Sequence, residues 1–329
     1  MTRIAVLGTG SYVPERRVSN QEVGAAAGVD SEWIIRKTEI RERRWAHSGQ
    51  ATSDLATEAA AAALESAGIG AHELRTIVVA TSTPDQPQPP TAAFVQHNLS
   101  AHGASAFDVN AVCSGFVFAL STVEAALARA GGGYGLVVGA DVYSRILDPA
   151  DRRTVVLFGD GAGAVVLGPA ARGGIERSDL HTFGEFTSMI QVPAGGSRRP
   201  LDPAAHALGA QYFTMDGRGV REFVADRLPL LVKQFLHDCG VAPDDIAHLI
   251  PHQANGVMLA QLEQDLGLPN AALHTTVTRF GNTGAASVPI TLDHASRSGA
   301  LHPGEKALLM GFGGGMAVGL TLLEWEREK

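Results

Sequence analysis

Short β-branched runs alternate with alanine- and leucine-rich stretches along the whole chain. Runs at 3–8, 76–82, 105–110, 135–140 and 163–168 read as strands, as do those at 175–183, 247–252, 272–278, 306–312 and 316–325. Between them the spacing predicts helices near 52–68, 91–101, 113–130, 219–239, 255–266 and 284–299. Such alternation implies crossover connections and an α/β architecture whose sheets are covered on both faces. The stretch 113–130 differs from the rest. Phe116, Val117, Phe118, Leu120, Val123 and Ala126 leave it hardly any polar face, so it is expected to be buried all round.

The two halves echo each other. "RTIVVATSTP" is answered by "AHLIPHQAN", "SAFDVNAVCSGFVFAL" by "ALHTTVTRFGNTGAASVPITL", and "GGYGLVVGAD" by "GEKALLMGFGGG". A spacing of half the chain is far too long for a solenoid repeat. It implies two copies of one α/β unit, 1–170 and 171–329, joined near "PAARGG". In each copy the third strand ends, a turn of small residues follows and a buried helix begins. Packing about a pseudo-twofold axis would put Cys113 and Asn282 at related places, at the N-termini of the two central helices.

With 329 residues, 45% hydrophobic and 18% charged, the chain has ample material for a large core. A formal charge of −8 argues against nucleic acid as a partner. No stretch reads as a membrane span, and "MTRIAVLGTG" reads as a first strand rather than a signal peptide. Two cysteines, Cys113 and Cys239, argue against a disulfide framework and fit a reducing cytoplasm. The proline-rich 83–94 segment reads as a rigid loop.

Cys113 falls where a strand stops and an apolar helix starts. Free N–H groups there stabilise a thiolate, and a thiol in such a place can fall from about 8.5 to roughly 3.5–7.5. Equally, many buried cysteines are inert hydrophobes. Cys239, at a helix end, has no such setting. His252, in "LIPHQAN", follows an apolar strand at its carboxyl end, where α/β sheets bind ligands. Of the 12 histidines, His47, His72, His97, His102, His206, His237 and His302 fall in polar surroundings and read as solvated. Asn282, among small residues, suits a helix cap, a cavity-facing amide, or both. The run "MGFGGGMAVG" at 310–319 offers backbone N–H groups to an oxyanion, or simply makes a bulge. "LGTGSYV" fails as a dinucleotide loop because Val13 replaces the third glycine, and no His, Cys or carboxylate pair has zinc spacing.

Taken together, "GTGSYVPERRVSN" (8–20), "WIIRKTEIRERR" (33–44), "CSGF", "FGDGAGAVVL", "PHQAN" and "GNTGAASVP" resemble the thiolase superfamily, and more closely its β-ketoacyl-acyl-carrier-protein synthase III group. The resemblance covers essentially the whole chain. It implies a five-layered αβαβα fold of two pseudo-repeated halves, a homodimer, and a catalytic trio of Cys113, His252 and Asn282. It implies an oxyanion hole from the backbone N–H groups of Cys113 and Gly314, and no metal or redox cofactor. Acyl-CoA would acylate Cys113; a malonyl thioester would then lose CO₂ and attack the acyl group. Trp33 and Arg152 match a pair that sandwiches the CoA adenine, with Lys37, Arg218 and Asn255 also along the CoA path.

The chain departs from the family pattern at three places. Lys37 replaces an arginine and Glu39 a glycine near the mouth. The basic face that receives an acyl carrier protein is weakened: Val257, Glu263, Asp265 and Glu222 occupy commonly basic positions, though Arg218 and Arg221 remain. Pro89 stands where relatives place a bulky aromatic on the acyl-pocket loop, which would leave room for a larger acyl group. The main expectation is therefore decarboxylative condensation in fatty-acid or polyketide-type metabolism. The alternatives are acyl transfer from Cys113 to an alcohol or amine, and a non-catalytic dimer partner.

Overall fold

The structure is a computed structural model and describes residues 2–326. Ten strands form two five-stranded sheets. The first contains β1 (Ile4–Tyr12), β2 (Leu74–Ala80), β3 (Ser105–Val109), β4 (Tyr134–Asp141) and β5 (Gly161–Pro169). The second contains β6 (Gly174–Thr182), β7 (Ile246–Pro251), β8 (Ala272–Leu273), β9 (Lys306–Gly313) and β10 (Ala317–Glu324). Their spatial orders are β1-β5-β4-β2-β3 and β6-β10-β9-β7-β8. In each sheet the first two pairings are antiparallel and the last two parallel. The second sheet thus repeats the first strand for strand, as the internal echo implies.

Six helices complete the layers: α1 (Thr52–Ala67), α2 (Thr91–Asn98), α3 (Gly115–Arg129), α4 (Gly217–Cys239), α5 (Gly256–Leu266) and α6 (Ser287–Arg297). Helices α1 and α2 cover the outer face of the first sheet, and α4 and α5 that of the second. Helices α3 and α6 lie between the sheets, giving αβαβα. Phe116, Val117, Leu120 and Val123 of α3 meet Val78 and Val137 from one sheet and Leu309 and Leu323 from the other. Burying such side chains stabilises the fold by roughly 1.5–3 kcal/mol each.

Several expectations need correction. The predicted strand 272–278 is only Ala272–Leu273; the chain then turns into a short helix, Val277–Phe280. Gln253 draws it there by accepting the N–H groups of Thr276 and Val277. Helix α3 is not buried all round, for Thr122, Ala125 and Ala126 face solvent in its second half. The stretch Val112–Arg129 is in fact long and apolar enough to pass for a membrane span. Its place between two sheets accounts for that composition. Two short helices, Asn20–Ala27 and Ser31–Thr38, escape the hydrophobic pattern. Each is started by a polar cap, Ser19 and Asp30.

Candidate active site

The two central helices begin at the same level of the molecule, each through a single tight turn: Val112–Ser114 before α3 and Gly284–Ala286 before α6. Cys113 sits in the first turn. Val112 before it has φ +48°, a left-handed conformation that costs a β-branched residue of order 1–3 kcal/mol. Packing holds it there. The strand β9 and the turn after it press on this corner, and a Cβ at Gly313 would stand 2.7 Å from the Cys113 Cβ. That glycine is required for room, a role distinct from supplying N–H groups. Gly314, the next residue, packs against Val112 and Ile190.

His252 follows β7 and is 2% exposed. Its Nδ1 lies 2.7 Å from the hydroxyl of Ser287, and its ring stands edge-on to Phe312. Asn282 is clamped through its backbone, donating its N–H to Leu157 and accepting that of Gly159. Its side-chain oxygen accepts the N–H of Gly284 at 2.9 Å, which caps the turn and leaves the NH₂ end for the cavity. Cys113, His252 and Asn282 line one cavity of about 180 Å³. Leu157, Phe158, Ile190, Phe213, Met215 and Phe312 supply its apolar walls. Behind it Tyr143, Phe158 and Phe213 form one aromatic cluster, with ring centroids 4.4–5.6 Å apart.

Cys113 and His252 are both uncharged at rest. Burial, helped by the Asp141 carboxylate, pushes the Cys113 thiol up to about 12, against a hydrogen bond from Tyr143. This reverses the expected depression by the helix N-terminus. At 6% exposure the loss of water around a thiolate outweighs the helix end. Burial also lowers His252 from 6.5 to about 3, despite a hydrogen bond to the Gly284 backbone, so the imidazole is uncharged. Asp141 itself is buried and accepts from Thr81, Ser82 and Thr83 on one side and from the Ala285 N–H on the other. It ties the two halves together beneath the site. A Cβ at Gly284, whose φ is +59°, would come within 2.2 Å of that carboxylate.

A groove of about 500 Å³ opens outside, between α4, α5 and the helix Ser31–Thr38. It shares Gly217, Asn255 and Met258 with the inner cavity, so the two are continuous. Lys37, Glu39, Arg221, Val257 and Asp265 line it, and Asn255 caps α5 by accepting the Met258 N–H. The guanidinium of Arg152 lies over the Trp33 ring, 5.9 Å from its centroid. Of the expected site residues, Trp33, Arg152, Arg218, Gly314 and Pro89 are not among those lining either cavity. Arg218 is exposed and paired with Glu222, and Arg221 takes its place on the groove. Pro89 is exposed and lies outside the lining of its own chain's cavity, so the larger acyl space inferred from it has no support within one chain. The seven histidines read as solvated are all exposed, and Cys239 is half-buried. Sequence reasoning missed Ser287, Phe158, Phe213, Tyr143 and Asp141. Ser287 inside "GNTGAASVP", Phe158 inside "FGDGAGAVVL", Asp141 inside "GGYGLVVGAD" and Gln253 inside "PHQAN" lay in segments already singled out but read there as structural, and Tyr143 and Phe213 lay outside any such segment.

Comparison with known proteins agrees with this geometry. The family model for 3-oxoacyl-[acyl-carrier-protein] synthase III matches residues 107–184, and that for its C-terminal part matches 236–325. An acetoacetyl CoA synthase, NphT7, from Streptomyces sp. (strain CL190) is 63% identical over 98% of this chain and 99% of its own. A β-ketoacyl-[acyl-carrier-protein] synthase III of Streptomyces coelicolor is 42% identical over 99% and 98%. Among solved structures, the 3-oxoacyl-(acyl carrier protein) synthase III of Pseudomonas aeruginosa PAO1 superposes with a TM-score of 0.90 at 37% identity, covering 99% of both chains. The priming β-ketosynthase of the R1128 polyketide pathway does so with 0.93 at 34%, covering 99% of this chain and 98% of its own. The chain belongs to the 3-oxoacyl-[acyl-carrier-protein] synthase III family, thiolase-fold acyltransferases that condense acyl and malonyl units.

Proposed function

We propose that this enzyme condenses acetyl-CoA with malonyl-CoA to give acetoacetyl-CoA, CO₂ and free CoA. The observation that carries this reading is the small cavity at Cys113, walled by Phe158 and Phe213 with Tyr143 packed behind them. Such a wall favours a short acyl group. The 63% identity to an acetoacetyl CoA synthase supports the same substrate pair. The outer groove supports CoA-bound over carrier-bound malonyl: Val257 is 44% exposed, and Asp265 and Glu39 offset Lys37 and Arg221. An acidic carrier protein finds little positive potential there.

In the first half-reaction the Cys113 sulfur attacks the acetyl thioester, the carbonyl oxygen is held by the N–H groups of Cys113 and Gly314, and CoA leaves carrying the thiol proton. In the second, His252 and Asn282 donate hydrogen bonds to the malonyl thioester carbonyl. The C–CO₂ bond breaks, its electrons form an enolate, and the enolate carbon attacks the acetyl carbon. Cys113 leaves as thiolate and takes a proton from solvent. Neutral donors strengthen as charge develops on that oxygen. The chemistry as written calls for no metal or redox cofactor.

The CoA path along Trp33, Arg152, Lys37 and Asn255 is part of the same proposal. So are a division of labour between residues 1–170, bearing the nucleophile, and 171–329, bearing the donors, and a cytoplasmic homodimer formed through β3. That strand is a sheet edge with Phe107 40% exposed, which supports an interface there. The test is a panel of acyl-CoAs read by intact mass at Cys113, followed by malonyl-CoA or malonyl-carrier protein with CO₂ and product measured. Acetyl transfer to Cys113 and acetoacetyl-CoA formation are expected. Acylation without CO₂ release, but with an ester or amide on adding an alcohol or amine, would replace condensation with acyl transfer.

A further inference from the structure

We infer that Tyr143 is a further catalytic residue: its hydroxyl, backed by Ser82 and Asp141, is a proton donor that turns toward the Cys113 sulfur whenever that sulfur becomes a thiolate. This rests on the acyl-cysteine step of the reading above and not on its malonyl step. Asp141 ends β4 and Tyr143 follows two residues on; both are buried, Tyr143 at 1% exposure. The Tyr143 hydroxyl hydrogen-bonds the Cys113 sulfur on one side and lies 3.0 Å from the Ser82 hydroxyl on the other. Ser82 Oγ in turn lies 3.1 Å from Asp141 Oδ1. The protons of Cys113, Tyr143 and Ser82 thus lie on one chain that ends at a carboxylate.

The far end of that chain is fixed. Asp141 accepts the backbone N–H groups of Ser82 and Ala285, both at 2.8 Å, and the hydroxyls of Thr81 and Thr83. Those hydroxyls are themselves oriented, since Thr81 Oγ1 accepts the Thr83 N–H and Thr83 Oγ1 accepts the Val142 N–H. Four donors satisfy a buried carboxylate without the Ser82 proton, which is free to point to Asp141 or to Tyr143. With the thiol intact, every proton points toward Asp141: S–H to Tyr143, Tyr143 to Ser82, Ser82 to the carboxylate. With a thiolate, two hydroxyl rotations reverse the chain, so that Ser82 donates to Tyr143 and Tyr143 to Sγ. Neither state leaves a donor without an acceptor, and no heavy atom has to move.

The ring is held in place. It stacks on Phe158 at 4.4 Å and meets Phe213 edge-on at 5.6 Å. A Cβ at Gly284 would stand 2.5 Å from its Cε2, so that glycine leaves the ring its room. Burial holds the phenol well above its usual 10, so it donates and does not ionise. The sulfur needs such a donor, because burial and the Asp141 carboxylate both oppose a thiolate. The other donor at the sulfur is the Cys113 N–H, which the mechanism above assigns to the substrate oxyanion during transfer. In acetyl transfer the sulfur gives its proton to the departing CoA and bonds the acetyl carbon, and Tyr143 meets the negative charge that develops on it. In condensation the bond from sulfur to the acetyl carbon breaks and its electron pair stays on sulfur. Tyr143 then hydrogen-bonds that thiolate until solvent returns the proton.

The test is Tyr143→Phe, which keeps the stacked ring and removes only the hydroxyl. Two rates are read at Cys113 by mass on the whole enzyme, across the neutral and alkaline range: acetylation by acetyl-CoA and alkylation by iodoacetamide. Acetylation should fall about tenfold or more, the usual result of losing one hydrogen bond to a charged atom, and alkylation should fall at every pH. Ser82→Ala, which removes the backing but not the donor, should lose less in both. A purely structural role would loosen the pocket and speed alkylation. Unchanged or faster alkylation in Tyr143→Phe, or a loss confined to acetylation, would overturn the inference. If Tyr143→Phe does not fold, the infrared S–H stretch of Cys113 in the wild type, identified by its loss in Cys113→Ala, takes its place. A hydrogen-bonded frequency is expected, and a free-thiol frequency would overturn the relay. None of these measurements uses malonyl-CoA, so an enzyme that never releases CO₂ would remove the condensation reading alone.

Discussion

The side-chain oxygen of Asn282 accepts the Gly284 N–H at 2.9 Å, which decides the end of the amide that meets substrate. Asn282→Asp keeps that acceptor but replaces the cavity-facing donor by an oxygen. CO₂ release from malonyl-CoA should fall by roughly 10²–10³, the usual loss for one oxyanion donor. Acetylation of Cys113 should persist, because the first half-reaction does not use the amide. Intact mass and CO₂ measurement on the same sample separate the two steps.

Phe213 closes the cavity edge-on to Phe158, with centroids 4.9 Å apart, and is 5% exposed. Phe213→Ala should lengthen the acyl chain accepted at Cys113, shifting the panel from acetyl toward butyryl and hexanoyl. The same change should destabilise the fold by about 3–5 kcal/mol through the cavity it leaves. A variant that loses stability but keeps a strict acetyl preference would show that another wall sets chain length.

The site's pH behaviour follows from burial. With the thiol pushed up to about 12, alkylation of resting Cys113 by iodoacetamide should keep rising with pH through the neutral and alkaline range, with no plateau near neutrality. His252 is lowered from 6.5 to about 3, so between those values the unfolded chain binds the extra proton. Its contribution to stability is complete above 6.5 and is lost as pH falls toward 3. Denaturant melts of wild type and His252→Gln across that window should show the steeper acid loss in the wild type.

Glu39 ends the helix Ser31–Thr38 with φ +59°, and its side chain lies against Gly256. Left-handed backbone costs a residue with a Cβ about 1 kcal/mol more than glycine. Glu39→Gly should therefore raise stability by about that amount, read as a higher midpoint in urea at unchanged slope. Removing one negative charge from the groove should also speed encounter with anionic thioesters at low salt, an effect that shrinks as salt is added.

Much of the fold was legible because continuous apolar runs have few other uses. Val78, Val79, Leu308 and Leu309 sit in strands buried on both faces, and the sequence shows them as unbroken blocks. Cys113, His252 and Asn282 stood out because each follows such a block at a turn. The run 272–278 was misread because its periodicity was strand-like, while Gln253 drew Thr276 and Val277 into a helical turn. The polar face of α3 at Thr122 and Ala126 was hidden because alanine is apolar in composition yet tolerates water.

The order of strands and helices, the doubled plan and the three residues now found at one cavity were determined by the sequence alone, since each leaves a local pattern of apolar runs and turns. Tertiary structure decided the rest: the neutrality of Cys113 and His252, the aromatic closure by Phe158 and Phe213, and the hydroxyl of Ser287 against the imidazole. These depend on removal of water and on side chains brought together from far along the chain. Desolvation and through-space contact have no signature in a linear pattern.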